Sequence, residues 1–221
     1  MSPARILCLT TGGSLDKTYD GVTSSFVVGA PTVKRCLQNV QCAHTVEYVE
    51  VCRKDSLELN NGDREVLDAA VRSAQQSCIV ITHGTDTLAL TAKYLQSTAL
   101  ATSKTVVLTG SMKPYAFTDS DGPFNLGAAF AVAPLLPPGC HVVFHGRVFS
   151  DPDLIAKDTA KDRLVERARK APEAPAGICA VFAAGRRCRY GATCRDRHCA
   201  ADAGARPPPP TGFRAIARST D

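Results

Sequence analysis

Short apolar runs alternate with segments of helical periodicity over most of this chain, and that alternation constrains the fold more than any other feature. Five runs of four to six residues are rich in apolar side chains, as buried strands are. Strands that alternate with helices are joined by right-handed crossovers and form a mostly parallel sheet with helices on both faces. The sequence therefore predicts a Rossmann-like α/β domain. The predicted strands are Arg5–Leu9, Val46–Val51, Cys78–Thr82, Thr105–Thr109 and His141–Phe144, and the predicted helices are Pro31–Asn39, Asp63–Ala74, Asp86–Ser97 and Asn125–Leu135.

The pattern ends near Arg163, and the composition changes after it. Residues 1–165 carry 15 Lys+Arg and 16 Asp+Glu (net −1), whereas residues 166–221 carry 11 and 5 (net +6). A basic segment on a nearly neutral domain indicates a polyanionic partner, although a solubilising disordered tail has the same composition. We expect an α/β domain (4–165), a Pro/Ala linker (166–177), a small zinc-stabilised finger (178–199) and a Pro-rich disordered tail (200–221).

No part of the sequence predicts insertion into a membrane. The chain lacks a run of roughly 18 apolar residues, which a spanning helix needs. Its first ten residues contain too short an apolar stretch for a signal peptide. We therefore expect a cytoplasmic protein, in which crowded cysteines bind metal more often than they form disulfides.

Loops rich in glycine and hydroxyl residues follow three predicted strands, at the sheet edge where open α/β domains bind ligands. In TTGGSLDK, Thr10–Lys17, two glycines precede Ser14, whose hydroxyl could act as a nucleophile. A plain strand-to-helix turn or a phosphate loop would have the same residues. In THGTDT, Thr82–Thr87, Asp86 could hold a substrate ammonium group or could cap the next helix.

Four motifs together resemble the N-terminal domain of the bacterial-type L-asparaginases, especially their short single-domain forms. They are TTGGSLDK, ITHGTDTLALTAKYL, VVLTGSMKP and SDGPFNLGAA, in this order along residues 4–165. The resemblance implies hydrolysis of L-asparagine to aspartate and ammonia, with no cofactor in this domain. It also implies a homo-oligomer, because the short forms act as oligomers.

The resemblance assigns catalytic roles to particular positions of this sequence. Ser14 matches the first nucleophile, which is usually a threonine, and Thr85 matches the second catalytic threonine. Lys157 matches the lysine that lowers the proton affinity of that threonine, with Lys161 as the alternative because the alignment is offset by one residue. A hydroxyl needs such a cation or a base nearby to react at neutral pH.

The resemblance also implies substrate-binding residues and exposes one departure. Asp55 and Ser56 match the positions that bind the substrate, Ser56 at its α-carboxylate, and Asp86 matches the acid that binds its amino group. Phe26 stands at the catalytic tyrosine position of the family's flexible loop and cannot transfer a proton. Tyr19, in the same segment, is the predicted substitute.

Four potential metal ligands crowd into residues 178–199 with the spacing C-x8-C-x5-C-x3-H. They are Cys179, Cys188, Cys194 and His198, and three thiolates with one imidazole can close a tetrahedral Zn²⁺ site. So short a segment would depend on the metal for its folding free energy. A chance cluster in a Cys- and Arg-rich tail is the alternative. With GRRCRYGATC around its second and third cysteines, the stretch resembles a CCCH-type zinc finger.

That second resemblance implies single-stranded RNA as a partner, or a protein, because a lone finger is unusual in the family. Phe182 and Tyr190 could stack on bases, and Arg187 and Arg189 could contact phosphates or base edges. Two functions therefore compete at this point. The chain is an asparaginase-like amidohydrolase with a zinc finger, or it is a zinc-dependent RNA-binding protein whose amidase domain is degenerate at Phe26.

Overall fold

A six-stranded sheet dominates the computed structural model, which describes residues 3–168. Its strand order is β4-β1-β5-β6-β7-β8; the first five strands are parallel and β8 is antiparallel to β7. The strands are β1 (Arg5–Gly12), β2 (Lys17–Asp20), β3 (Ser25–Val28), β4 (Thr45–Lys54), β5 (Cys78–Thr82), β6 (Thr105–Thr109), β7 (Gly139–Phe144), β8 (Arg147–Phe149), β9 (Ile155–Asp158) and β10 (Arg163–Glu166). The helices are α1 (Val33–Asn39), α2 (Asn61–Ser73), α3 (Leu88–Ala101) and α4 (Gly122–Val132).

Helices cover both faces of the sheet because alternate strand residues point to opposite sides. Leu7, Ile79 and Val106 belong to a core with residues of α2 and α3. Their neighbours Cys8 and Val80 belong to a second core with residues of α1 and α4. All residues of β5 and β6 are buried, which explains why these strands are continuous apolar runs. The predicted mostly parallel α/β sheet is therefore confirmed, and all five predicted strands and four predicted helices are present.

Two short antiparallel hairpins were not predicted. β2 pairs with β3, and β9 pairs with β10. Residues 24–29, expected as a flexible loop, thus include strand β3, and Tyr19 lies on β2 rather than in a loop. β10 extends the regular structure to Glu166, one residue past the predicted domain boundary. Both hairpins expose many of their side chains, so neither has the strong apolar pattern that revealed the central strands.

Two other expectations concern the membrane and the C-terminal segments. Between residues 3 and 168, none of the helices has the length and apolar character needed to cross a membrane. The predicted linker beyond residue 168, the finger and the tail lie outside the described residues.

Candidate active site

Two glycines allow the loops after β1, β4 and β5 to meet at backbone distance. Gly13 has φ +84°, and a Cβ there would lie 2.4 Å from the Cα and N atoms of Gly84. A Cβ on Gly84 would in turn lie 2.7 Å from both Cβ and Oγ of Ser56. The loops that carry Ser14, Ser56 and Thr85 are therefore brought together at one edge of the sheet, as the strand-end rule predicts.

Lys157 provides the most informative contact of this edge. Its Nζ atom donates to Thr85 Oγ1 at 2.9 Å and to Asp86 Oδ1 at 2.8 Å. Thr85 is buried, whereas the side chains of Lys157 and Asp86 are 24% and 38% exposed. An ammonium group beside a hydroxyl stabilises the alkoxide form of that hydroxyl and so favours its deprotonation. Lys161, the alternative from sequence, lies in the turn between β9 and β10, where its backbone N–H donates to Asp158.

Asp86 does not cap the helix that follows it. Helix α3 begins at Leu88 with Thr87 as its N-cap residue, and no side chain makes the capping hydrogen bond. The carboxylate of Asp86 pairs with Lys157 instead, and its exposure leaves it accessible to a second cation. This geometry is compatible with the ammonium-binding role and leaves the capping alternative without support.

Ser14 begins a single 3-10 turn, Ser14–Asp16, directly after two glycines of positive φ. Its side chain is partly buried, and its hydroxyl makes no hydrogen bond with another group in residues 3–168. The strand-to-turn geometry proposed as the plain alternative is therefore present. This turn is compatible with a catalytic role, because it places the Ser14 hydroxyl on the loop whose Gly13 packs against Gly84.

Asp55 and Ser56 lie at the end of β4 with different exposure. Ser56 is 1% exposed, and its carbonyl oxygen accepts from Thr87 Oγ1 at 2.7 Å. Asp55 Oδ2 lies 2.7 Å from Lys17 Nζ, and Oδ1 accepts from the backbone N–H of Leu57 at 3.1 Å. The hydrogen bond from Lys17 lowers the pKa of Asp55, and the charge of Lys157 contributes to the same effect. Asp55 is therefore an ionised carboxylate at neutral pH.

A buried hydrogen-bonded chain stiffens the loop that carries Thr85. Arg64 Nε donates to Thr91 Oγ1 at 3.2 Å, and that hydroxyl lies 2.9 Å from His83 Nε2. The Gly84 carbonyl can only accept, so His83 Nδ1–H donates to it at 2.8 Å, and the unprotonated Nε2 accepts from the Thr91 hydroxyl. Burial lowers the pKa of His83 to about 4, so this imidazole is neutral. His83 is structural, as the sequence suggested.

Comparison with known proteins identifies the family to which this arrangement belongs. Residues 5–162 match the family described as asparaginase, N-terminal. The chain belongs to the asparaginase family. The resemblance of residues 4–165 to the N-terminal domain of asparaginases is thereby confirmed.

Individual relatives of this asparaginase-family chain agree with the match. It is 32% identical over 138 residues to L-asparaginase 2 of Escherichia coli K12, covering 58% of this chain and 38% of that protein. It is 42% identical over 77 residues to the glutaminase-asparaginase of Acinetobacter glutaminasificans, covering 32% and 23%. The solved thermostable L-asparaginase from Thermococcus kodakarensis superposes with a TM-score of 0.62 at 26% identity, covering 73% of this chain and 51% of that one. The chain thus spans well under half the length of these curated relatives and about half of that solved structure.

The β2–β3 hairpin carries both Phe26, at the family's tyrosine position, and Tyr19, the predicted substitute for that tyrosine. Tyr19 and Phe26 are cross-strand partners with ring centroids 5.8 Å apart, and Phe26 also contacts Phe117 at 5.8 Å. Tyr19 is 59% exposed, and within residues 3–168 its hydroxyl has no hydrogen bond to Ser14 or Thr85. A catalytic role for Tyr19 therefore stays a prediction that requires the hairpin to close over a substrate.

Two residues of the site edge were not identified from sequence. Lys17 contacts Asp55, but nothing in its local pattern distinguishes it from a surface lysine. Asp121 accepts from the backbone N–H groups of Met112 and Lys113, both at 3.0 Å, and lies 3.1 Å from His145 Nε2. The motif SDGPFNLGAA thus orders the loop after β6 through its aspartate.

The finger residues cannot be placed by the structure. The predicted zinc ligands and RNA contacts all lie outside the described residues: Cys179, Cys188, Cys194 and His198 for the metal, and Phe182, Arg187, Arg189 and Tyr190 for the nucleic acid.

Proposed function

We propose that this chain hydrolyses the side-chain amide of L-asparagine to give aspartate and ammonia. One observation carries the proposal: Lys157 Nζ contacts the buried hydroxyl of Thr85 and the exposed carboxylate of Asp86 at the same time. A reactive hydroxyl and a group for a substrate ammonium are therefore side by side. Membership of the asparaginase family supports the same reaction class.

The reaction needs two steps in which the atoms balance. The oxygen of Ser14 attacks the amide carbon, the C–N bond breaks, and the nitrogen leaves as ammonia with the proton that Ser14 gives up. Water then attacks the resulting ester, which releases the carboxylic acid and restores the Ser14 hydroxyl. Thr85 and Lys157 move protons in these steps, since the lysine cation favours the deprotonated threonine.

The substrate is held at its two charged ends. The carboxylate of Asp86 accepts from the α-ammonium group, and the hydroxyl of Ser56 donates to the α-carboxylate. An analogue that lacks the α-carboxylate leaves the hydroxyl of Ser56, a residue only 1% exposed, without its hydrogen-bond partner, and this weakens binding.

The proposal is tested by ammonia release from L-asparagine, with L-glutamine in parallel. Ser14→Ala and Thr85→Ala should each lower kcat/KM by about 10²–10⁴-fold. Ser73→Ala, which removes a hydroxyl at the end of α2, is the matched control and is expected to retain activity. Wild-type release no greater than that of Thr85→Ala would contradict the proposal. Light scattering on the same samples tests the homo-oligomer.

We also propose that residues 178–199 bind one Zn²⁺ through Cys179, Cys188, Cys194 and His198. The ligand spacing supports this, together with the resemblance of the segment to a CCCH finger. Purified protein should contain about one zinc per chain, and Cys188→Ser should lose it. Cys199→Ser removes a neighbouring thiol that is not a predicted ligand and should keep the metal. Intact protein without zinc would refute the finger.

A second candidate function is zinc-dependent binding of single-stranded RNA with an inactive amidase domain. The observation in its favour is Phe26, since a phenyl ring at the family's tyrosine position cannot transfer a proton. This reading expects no ammonia release, and it expects RNA affinity that falls on removal of zinc and on Tyr190→Ala or Arg187→Ala. Ammonia release that depends on Thr85 would exclude an inactive domain.

A further inference from the structure

Lys17 joins the β2–β3 hairpin to the loop that carries Ser56. It is the first residue of β2, directly after the Ser14–Asp16 turn, and its Nζ lies 2.7 Å from Asp55 Oδ2. The two side chains are only 30% and 28% exposed, so solvent screens this pair less than a fully exposed one. Asp55 is the immediate neighbour of Ser56, which places Lys17 at the edge of the site.

The charges around the site form an alternating series. Lys17 pairs with Asp55, and Lys157 pairs with Asp86 and also acts on Asp55 through space. The two positive and two negative ion-paired groups balance, and the exposed Glu58, which accepts from the backbone N–H of Asp55 at 3.3 Å, is a further carboxylate outside these pairs. Lys157 makes its ion pair with Asp86. Among residues 3–168, Lys17 is the one residue that forms an ion pair with Asp55.

This balance matters because Asp55 lies beside the position assigned to a substrate carboxylate. Two carboxylates close together repel each other, and like charges in a binding site cost affinity. An unneutralised Asp55 would oppose the arrival of an α-carboxylate at Ser56. The ammonium group of Lys17 removes that repulsion and adds attraction at the same edge.

We propose that Lys17 is a specificity-determining residue that admits substrates with a free α-carboxylate, because it neutralises Asp55 beside Ser56. The inference rests on the proposed function and deepens it, since it names the substrate group that the same site selects. Free amino acids are then preferred to amides whose α-carboxyl is blocked, such as residues within a peptide.

The experiment measures binding to the full-length protein by calorimetry, with L-aspartate and L-isoasparagine as probes. The two differ only in the α-carboxylate, which is an uncharged amide in L-isoasparagine. Lys17→Gln should weaken L-aspartate about tenfold and L-isoasparagine less than about twofold, where tenfold corresponds to 1.4 kcal/mol. Lys17→Arg, which keeps the charge, should stay within about threefold of wild type. Lys93→Gln, which breaks the exposed ion pair with Asp153, is the control and should change neither.

The outcomes separate this inference from a structural role and from the proposed reaction. Equal weakening of both probes by Lys17→Gln would mean that Lys17 only holds the hairpin in place, and would overturn the inference. So would wild-type protein that fails to bind L-aspartate at millimolar concentration. If L-aspartate binds in a Lys17-dependent manner but L-asparagine yields no ammonia, the proposed reaction fails and the specificity role stands.

Discussion

Replacing Gly13 by alanine tests how the site is assembled. Gly13 has φ +84° and ψ −168°, a region that is essentially restricted to glycine and costs other residues about 1–3 kcal/mol. The new Cβ would also lie 2.4 Å from two backbone atoms of Gly84, which cannot rotate away. Overpacking of this kind costs about 1–3 kcal/mol more. We expect Gly13→Ala to lower the free energy of unfolding by about 2–6 kcal/mol, out of a usual total of about 5–15 kcal/mol.

Urea unfolding followed by circular dichroism measures this loss. With a slope of about 2 kcal/mol/M, the midpoint should fall by about 1–3 M. Gly127→Ala is the matched control, because a Cβ at Gly127 in α4 has no neighbour within 4 Å. It should raise stability by about 0.5–1 kcal/mol, since alanine favours helix. If Gly13→Ala unfolds at the wild-type midpoint, the loops do not meet as described.

Three further changes probe buried ionisable side chains. Burial raises the pKa of Asp16 to about 6, so the folded state binds the Asp16 proton more tightly than the unfolded state does. The free energy of unfolding therefore falls as pH rises from about 4 to 6. In Asp16→Asn, the midpoint of urea unfolding should no longer fall over this range. Burial lowers the pKa of His83 to about 4, so stability is lost as pH falls from about 6.5 to 4, and His83→Gln should flatten that loss. Lys104 Nζ donates to the carbonyls of Val71, Arg72 and Ala74 at the end of α2. Lys104→Met should cost about 2–4 kcal/mol in urea unfolding, whereas Lys34→Met on the exposed surface of α1 should cost little. For the Asp16 and His83 variants, a pH dependence of the urea midpoint unchanged from wild type would contradict the burial of that residue. For Lys104→Met, an unchanged urea midpoint would do the same.

The central sheet was predictable because its strands are continuous apolar runs. β5 and β6 are buried on both faces, and this favours apolar side chains along their lengths, with threonine only at the strand ends. The hairpins were not predictable for the opposite reason. β2 and β9 have few buried residues, so their pairing with β3 and β10 depends on contacts with the rest of the domain and leaves little trace in composition.

The site was partly predictable. Ser14 and Thr85 follow strands in glycine-rich loops, and parallel strands bring such loops to one edge. Which of Lys157 and Lys161 contacts Thr85 was not predictable, since the two are four residues apart and equally basic. The β9–β10 hairpin decides it, because Lys157 lies on β9 opposite Leu164 while Lys161 falls in the turn.

Sequence by itself determined the class of the fold, the family, and which loops carry the candidate catalytic residues. Each of these depends on local patterns of apolar, glycine and hydroxyl residues. Tertiary structure decided which charges meet. The contact of Lys157 with Thr85 spans 72 residues along the chain, and the ion pair of Lys17 with Asp55 joins a hairpin to a separate strand end. An ion pair depends on a few ångströms of separation, and only the packing of the whole domain sets that distance.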